Sequence, residues 1–73
     1  MAERLRRRDL PDIVFLRAVR DRTVHDLPYP PKLITAKLER MDSLGWIEWG
    51  VSLWSAWLEP AGKAKLDEIE EGK

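Results

Sequence analysis

Seventy-three residues with a formal net charge of zero, 44% of them hydrophobic and 36% charged, describe one small domain with room for one core. The absence of cysteine excludes disulfide staples and thiolate chemistry. No apolar run approaches the roughly 18 residues that cross a bilayer and no signal-peptide pattern opens the chain, so a cytoplasmic setting and no membrane partner are expected. A core this small leaves little spare stability, which makes self-association a reasonable expectation. Neutrality also hides an asymmetry. Residues 1–40 hold ten Lys/Arg against six Asp/Glu, a charge of +4, and residues 41–73 hold three against seven, a charge of −4.

Residues 1–8, MAERLRRR, form a basic arm carrying Arg4, Arg6, Arg7 and Arg8. It reads either as a solvated terminus or as an arm that lies along phosphates or enters a minor groove. The next stretch, DLPDIVFLRAVRDR, is a helix. Asp9 suits its N-cap, Pro11 its first turn, and Asp12 the positive end of its dipole. Ile13, Leu16 and Val19 or Arg20 follow helical spacing, and Val14 and Phe15 broaden the apolar side. Thr23–Leu27, TVHDL, offers Thr23 and Asp26 as a weak capping box around one helical turn, with Val24 and Leu27 inward. The prolines of LPYPP then impose a stiff, extended connector, whose Tyr29–Pro30 bond is open to either isomer.

Pro31 to Ile47, PKLITAKLERMDSLGWI, organises the chain. At about 100° per residue, Leu38 and Met41 fall within roughly 40° of Ile34, a narrow apolar stripe. Lys32, Ala36, Glu39, Arg40 and Ser43 fall on the far side. Pro31 suits the first turn, and Gly45 the left-handed position just past the end. After Gly45 the period changes. Trp46–Trp49 and Leu53–Glu59 read as two strands of a short antiparallel hairpin, with Trp54, Ala56 and Leu58 on one face and Leu53, Ser55 and Trp57 on the other. Pro60 opens a last helix, PAGKAKLDEIEE, with Leu66 and Ile69 inward and an acidic C-terminal end expected to fray.

Catalysis has little to stand on. His25 is the only histidine, no serine lies in a nucleophile-elbow context, and no acid is paired with a positioned base. One histidine does not make a metal site. The chain is therefore expected to be no enzyme, with no catalytic residues, no metal and no cofactor.

The order helix, short helical turn, longer helix, hairpin, helix resembles the winged helix-turn-helix domains of MarR- and PadR-type transcription regulators. LERMDSLGWIE is similar to the family's recognition-helix end followed by a glycine and the first wing strand. WLEPAGKAKL is similar to its second wing strand running into a Leu-Thr-Pro-x-Gly turn, with Glu59 where threonine is common. TVHDL sits where the family's second helix usually begins. The likeness covers about residues 9–70, with two departures: PYPP replaces most of the second helix, and no Lys or Arg occurs between residues 41 and 62.

The resemblance implies an α+β, mainly α fold, a winged helix-turn-helix of three to four helices with a two-stranded antiparallel hairpin over residues 9–71. It also implies sequence-specific binding of double-stranded DNA by a small transcriptional regulator, the helix at about 31–43 entering the major groove. The residues nominated for DNA are Lys32, Thr35, Ala36, Glu39 and Arg40, with Arg4, Arg6, Arg7 and Arg8 of the arm. Four tryptophans between positions 46 and 57 exceed what a short hairpin buries, which nominates Trp49 and Trp57 for an interface, a homodimer being the simplest. The rival reading is a winged-helix protein–protein interaction module that uses this Trp-rich hairpin.

Overall fold

The apolar periodicities resolve into three α-helices and one hairpin. In the computed structural model, which describes residues 10–72, these are α1 (Asp12–Asp21), α2 (Pro31–Ser43), β1 (Ile47–Glu48), β2 (Trp57–Leu58) and α3 (Pro60–Glu71). Single 3₁₀ turns at Val24–Asp26 and Leu53–Ser55 complete the order. The protein is thus α+β and mainly helical. Its strands pair antiparallel, Ile47 opposite Leu58 and Glu48 opposite Trp57. The basic arm and Asp9, the expected helix cap, lie outside the described residues.

Helix α1 begins one residue after Pro11, which occupies the N-cap position rather than the first turn. Its buried edge is Phe15, Leu16, Ala18 and Val19, with Ile13 and Val14 at the margin and Arg20 in solvent. The edge is centred away from Ile13 because α1 meets α3, β2 and the connector together. Arg22 closes the helix in the left-handed region at φ 61°, so that the Thr23 N–H reaches the Ala18 carbonyl at 2.8 Å.

In the 3₁₀ turn that follows, Val24 is buried, and Thr23 makes no side-chain cap. The backbone satisfies itself there, Asp26 N–H donating to the Thr23 carbonyl at 2.9 Å and Leu27 N–H to that of Val24 at 3.2 Å. A capping box has no orphan donor left to serve. In the proline connector every peptide is trans, and the Tyr29 ring stacks on Phe15 with centroids 5.6 Å apart and planes at 17°. That contact ties the entry of α2 to the core.

Ile34, Leu38 and Met41 of α2 are fully buried. The helix stops as its sequence dictates. Gly45 takes φ 78°, Trp46 N–H donates to the Met41 carbonyl at 3.0 Å, and Gly45 N–H to that of Asp42 at 3.0 Å. The chain leaves directly into β1.

Both strands are shorter than the alternation suggests. Leu53–Ser55 coils into a 3₁₀ turn because the Ser52 hydroxyl accepts the Trp54 N–H at 3.2 Å, capping a turn where a strand is expected. The remaining parity holds: Ala56 and Leu58 are buried and Trp57 is exposed. Helix α3 runs to Glu71, and Arg17 of α1 meets Glu70 near that end at 2.9 Å. Leu66 is buried and Ile69 packs against the core. Among the described residues no helix is long and apolar enough to cross a membrane.

The hairpin and α3 are joined through the Trp46 carbonyl, which accepts the Glu59 N–H at 2.9 Å, and through Gly62, which is buried against that same carbonyl. A Cβ at position 62 would overlap the Trp46 carbonyl group and stand 3.2 Å from Leu58 Cδ2. The main obstacle, the Trp46 carbonyl, is backbone and cannot swing away. Gly62→Ala is expected to destabilise by at least about 2 kcal/mol, as overpacking does and against the helix propensity of alanine, measured by urea unfolding. A neutral or stabilising Gly62→Ala contradicts this packing.

Candidate functional site

Helix α2 presents a different chemistry on each side. Its outward edge carries Lys32, Glu39, Arg40 and Ser43, all exposed, with Thr35 and Ala36 half-buried beside them. Pro31, Lys32, Thr35, Ala36 and Glu39 line a shallow depression of about 310 Å³. Among the described residues neither Lys32 nor Arg40 makes an ion pair. The helix therefore brings together the five nominated residues of its own sequence. Arg4, Arg6, Arg7 and Arg8 lie outside the described residues.

One flank is held by a pair that sequence reasoning missed. Lys37 is buried, its side chain 7% exposed, and its ammonium bonds to the carboxylate of Asp12, 39% exposed, in the first turn of α1. A lysine reads as a solvated residue by type, but at about −60° from Ile34 it belongs to the core side of the helix. That angle was the available signal. Asp12 thus serves both the dipole of α1 and the anchoring of α2.

The opposite flank is held by tryptophans. Trp54 donates its indole N–H to the Thr35 hydroxyl at 3.0 Å, and Trp49 donates to Asp42 Oδ2 at 3.4 Å. Asp42 lies two turns beyond Thr35, so the hairpin runs alongside the helix and is latched at both positions. The His25 ring lies against Trp54, centroids 5.2 Å apart at 44°, which backs the indole from the other side. The 3₁₀ turn at Leu53–Ser55 is what brings Trp54 to this place.

Trp49 and Trp57 keep 41% and 44% of their surface exposed. They sit at different edges. Trp49 flanks α2, whereas Trp57 bonds Glu59 at 2.9 Å and overhangs a trough between α1, β2 and α3 of about 460 Å³. The trough floor is Val19, Leu58 and Leu66. On its rim Arg20 bonds Asp21 at 2.9 Å, a hydrogen bond that holds the Asp21 carboxyl below the ordinary carboxylate range and raises the guanidinium's own pKa.

Among the described residues no group of three or more His, Cys, Asp or Glu is placed to hold a metal. Comparison with protein-family models, with curated proteins and with solved structures gave no match. What the geometry offers is one helix face with two exposed cations and two separately exposed indoles.

The Asp12–Lys37 pair is open to a direct test. Asp12→Ala leaves the buried ammonium without its partner and is expected to cost roughly 1–3 kcal/mol, below the 3–5 kcal/mol of a fully buried pair because Asp12 is partly solvated. Lys37→Met keeps the packed stem and removes the charge, so its loss in chemical denaturation should be smaller. Equal or reversed costs contradict the assignment.

Proposed function

We propose that the protein binds double-stranded DNA as a small winged-helix transcriptional regulator, with the outward face of α2 in the major groove. The observation that carries this reading is the exposure of Lys32 and Arg40 on one edge of a helix whose other sides are taken by the core, Asp12 and two indoles. A cation that makes no ion pair among the described residues is available to a polyanion. Lys32 and Arg40 are eight residues apart, so about 12 Å along the helix, comparable with the roughly 12 Å width of the major groove. Each can therefore reach a phosphate or guanine edge at its own end of the face. Lys32 stands in the first turn, where the helix dipole adds to its field.

Ala36 and the Thr35 methyl suit a thymine methyl, and Glu39 a cytosine amino group. The Thr35 hydroxyl is already an acceptor for Trp54, which fixes its orientation before any base arrives. With no Lys or Arg between residues 41 and 62, the hairpin supplies no cation to the backbone, and the +4 charge of residues 1–40 supplies the field.

The exposed rings of Trp49 and Trp57 favour a second reading, a protein-docking hairpin. Salt separates the two, since phosphate binding weakens steeply with ionic strength and apolar docking does not. Titration of a mixed-sequence duplex at two salt concentrations is expected to show salt-dependent binding that Lys32→Glu with Arg40→Glu abolishes, with the circular dichroism spectrum unchanged. Unaltered affinity in that folded double variant rules out this face.

A further inference from the structure

The bond from Trp54 to Thr35 bears on chemistry as well as on packing. Thr35 lines the shallow depression of α2 together with Lys32, Ala36 and Glu39, so it belongs both to the outward face and to the hairpin contact. A threonine hydroxyl has one proton to donate and two lone pairs. The Trp54 indole N–H, a donor only, lies 3.0 Å from Oγ1 and takes one of those lone pairs. The hydroxyl proton is thereby turned away from the hairpin. Among the described residues it meets no acceptor, not even the Pro31 carbonyl one turn back that a helical threonine often uses. An oxygen that already accepts one bond donates a second more strongly, because the two bonds polarise each other. Trp54 is itself held in place, its backbone N–H on the Ser52 hydroxyl at 3.2 Å and its ring 5.2 Å from that of His25.

We propose that Trp54 is a positioning residue that sets Thr35 as a hydrogen-bond donor to guanine, and so gives the α2 face a base preference. This rests on the DNA reading and adds to it the class of base edge that is read. Lys32, a donor only, stands three residues before Thr35, and ionised Glu39, an acceptor only, stands four after, so the three share one edge of the helix. In the major groove guanine shows two acceptors, N7 and O6, and no donor. Adenine sets an amino donor beside its acceptor, thymine a methyl, and cytosine shows a donor alone. Two neighbouring donors at the N-terminal end of the face therefore fit guanine, and the acceptor one turn on fits an amino group. Fixing Oγ1 fixes the Thr35 methyl as well, since both sit on Cβ, which leaves that methyl for the thymine of a neighbouring pair.

Selection from a duplex pool with a randomised core, by the full chain at low salt, tests this, followed by anisotropy titration of the recovered duplex with each base substituted. The position whose preference Thr35→Val relaxes is the one that Thr35 reads. There the wild type and Thr35→Ser are expected to select guanine, any other base weakening binding at least about fivefold. Trp54→Phe keeps a ring but loses the N–H, and should lose that preference as fully as Thr35→Val. The double variant should lose no more than either alone, because one interaction is removed in all three. At the position that Glu39→Ala relaxes, both single variants should discriminate like wild type, which a general loosening of α2 does not allow. A second measurement holds even where Trp54→Phe fails to fold. The Trp54 indole N–H should exchange slowly with solvent in wild type and Thr35→Ser, and lose that protection in Thr35→Val.

A wild type that binds no duplex ends the DNA reading and this inference together. A wild type that binds, with Trp54→Phe as discriminating as itself, leaves the DNA reading standing and overturns this inference alone. So does a base other than guanine at the Thr35 position, a Thr35→Val that relaxes no position, additive losses in the double variant, or an indole N–H indifferent to Thr35→Val.

Discussion

The burial of Ile34, Leu38 and Met41 is the constraint on which the rest depends. Each is fully withdrawn from water, and at about 1.5–3 kcal/mol per side chain the three together rival the net stability expected of a whole domain, about 5–15 kcal/mol. Once that edge faces inward, the rotation of α2 is decided and so is the identity of the outward residues. The flanking bonds then hold it. Asp12 grips Lys37 on one side, and Trp54 and Trp49 reach Thr35 and Asp42 on the other. The hairpin is short in its ladder because its main task is lateral: two indole N–H groups against a helix.

The ends of α2 are fixed as firmly as its rotation. Tyr29 stacked on Phe15 positions the proline entry, and Gly45 in the left-handed region turns the chain into β1. The Trp46 carbonyl next to that turn is then shared by the Glu59 N–H and the close approach of Gly62. Helix α3 is thereby set against the hairpin, and its pairing with α1 through Arg17 and Glu70 closes the domain. The two surfaces left over differ in kind. One is a helix edge whose two cations make no ion pair among the described residues; the other is an apolar trough overhung by Trp57.

Much of this was readable from residue spacing. The Ile34, Leu38, Met41 stripe, the Pro31 and Gly45 punctuation, and the inward parity of Ala56 and Leu58 all follow from periods of 3.6 and 2, and the structure has them. The turn at Leu53–Ser55 was not, since three residues cannot distinguish a strand from a 3₁₀ turn and the deciding Ser52–Trp54 bond is local. In α1 the spacing placed Phe15, Leu16 and Val19 inward as found, whereas the burial of Ala18 and the marginal place of Ile13 depend on neighbours distant in sequence. Lys37 illustrates a further limit, because residue type argued for solvent where angular position argued for the core. The outward placement of Lys32, Glu39 and Arg40 followed from the same angular argument, whereas the bond from Trp54 to Thr35 joins residues nineteen apart and had no local signal.

The central claim is that only one edge of α2 is free to meet a partner. Amide and side-chain chemical-shift mapping of the labelled protein, titrated with a mixed-sequence duplex, tests it most directly. The account predicts perturbations concentrated at Lys32, Ala36, Glu39 and Arg40, with Lys37, Asp12 and the trough residues Leu58 and Leu66 quiet. Perturbations centred on the trough, or none at α2 while the duplex binds, contradict it.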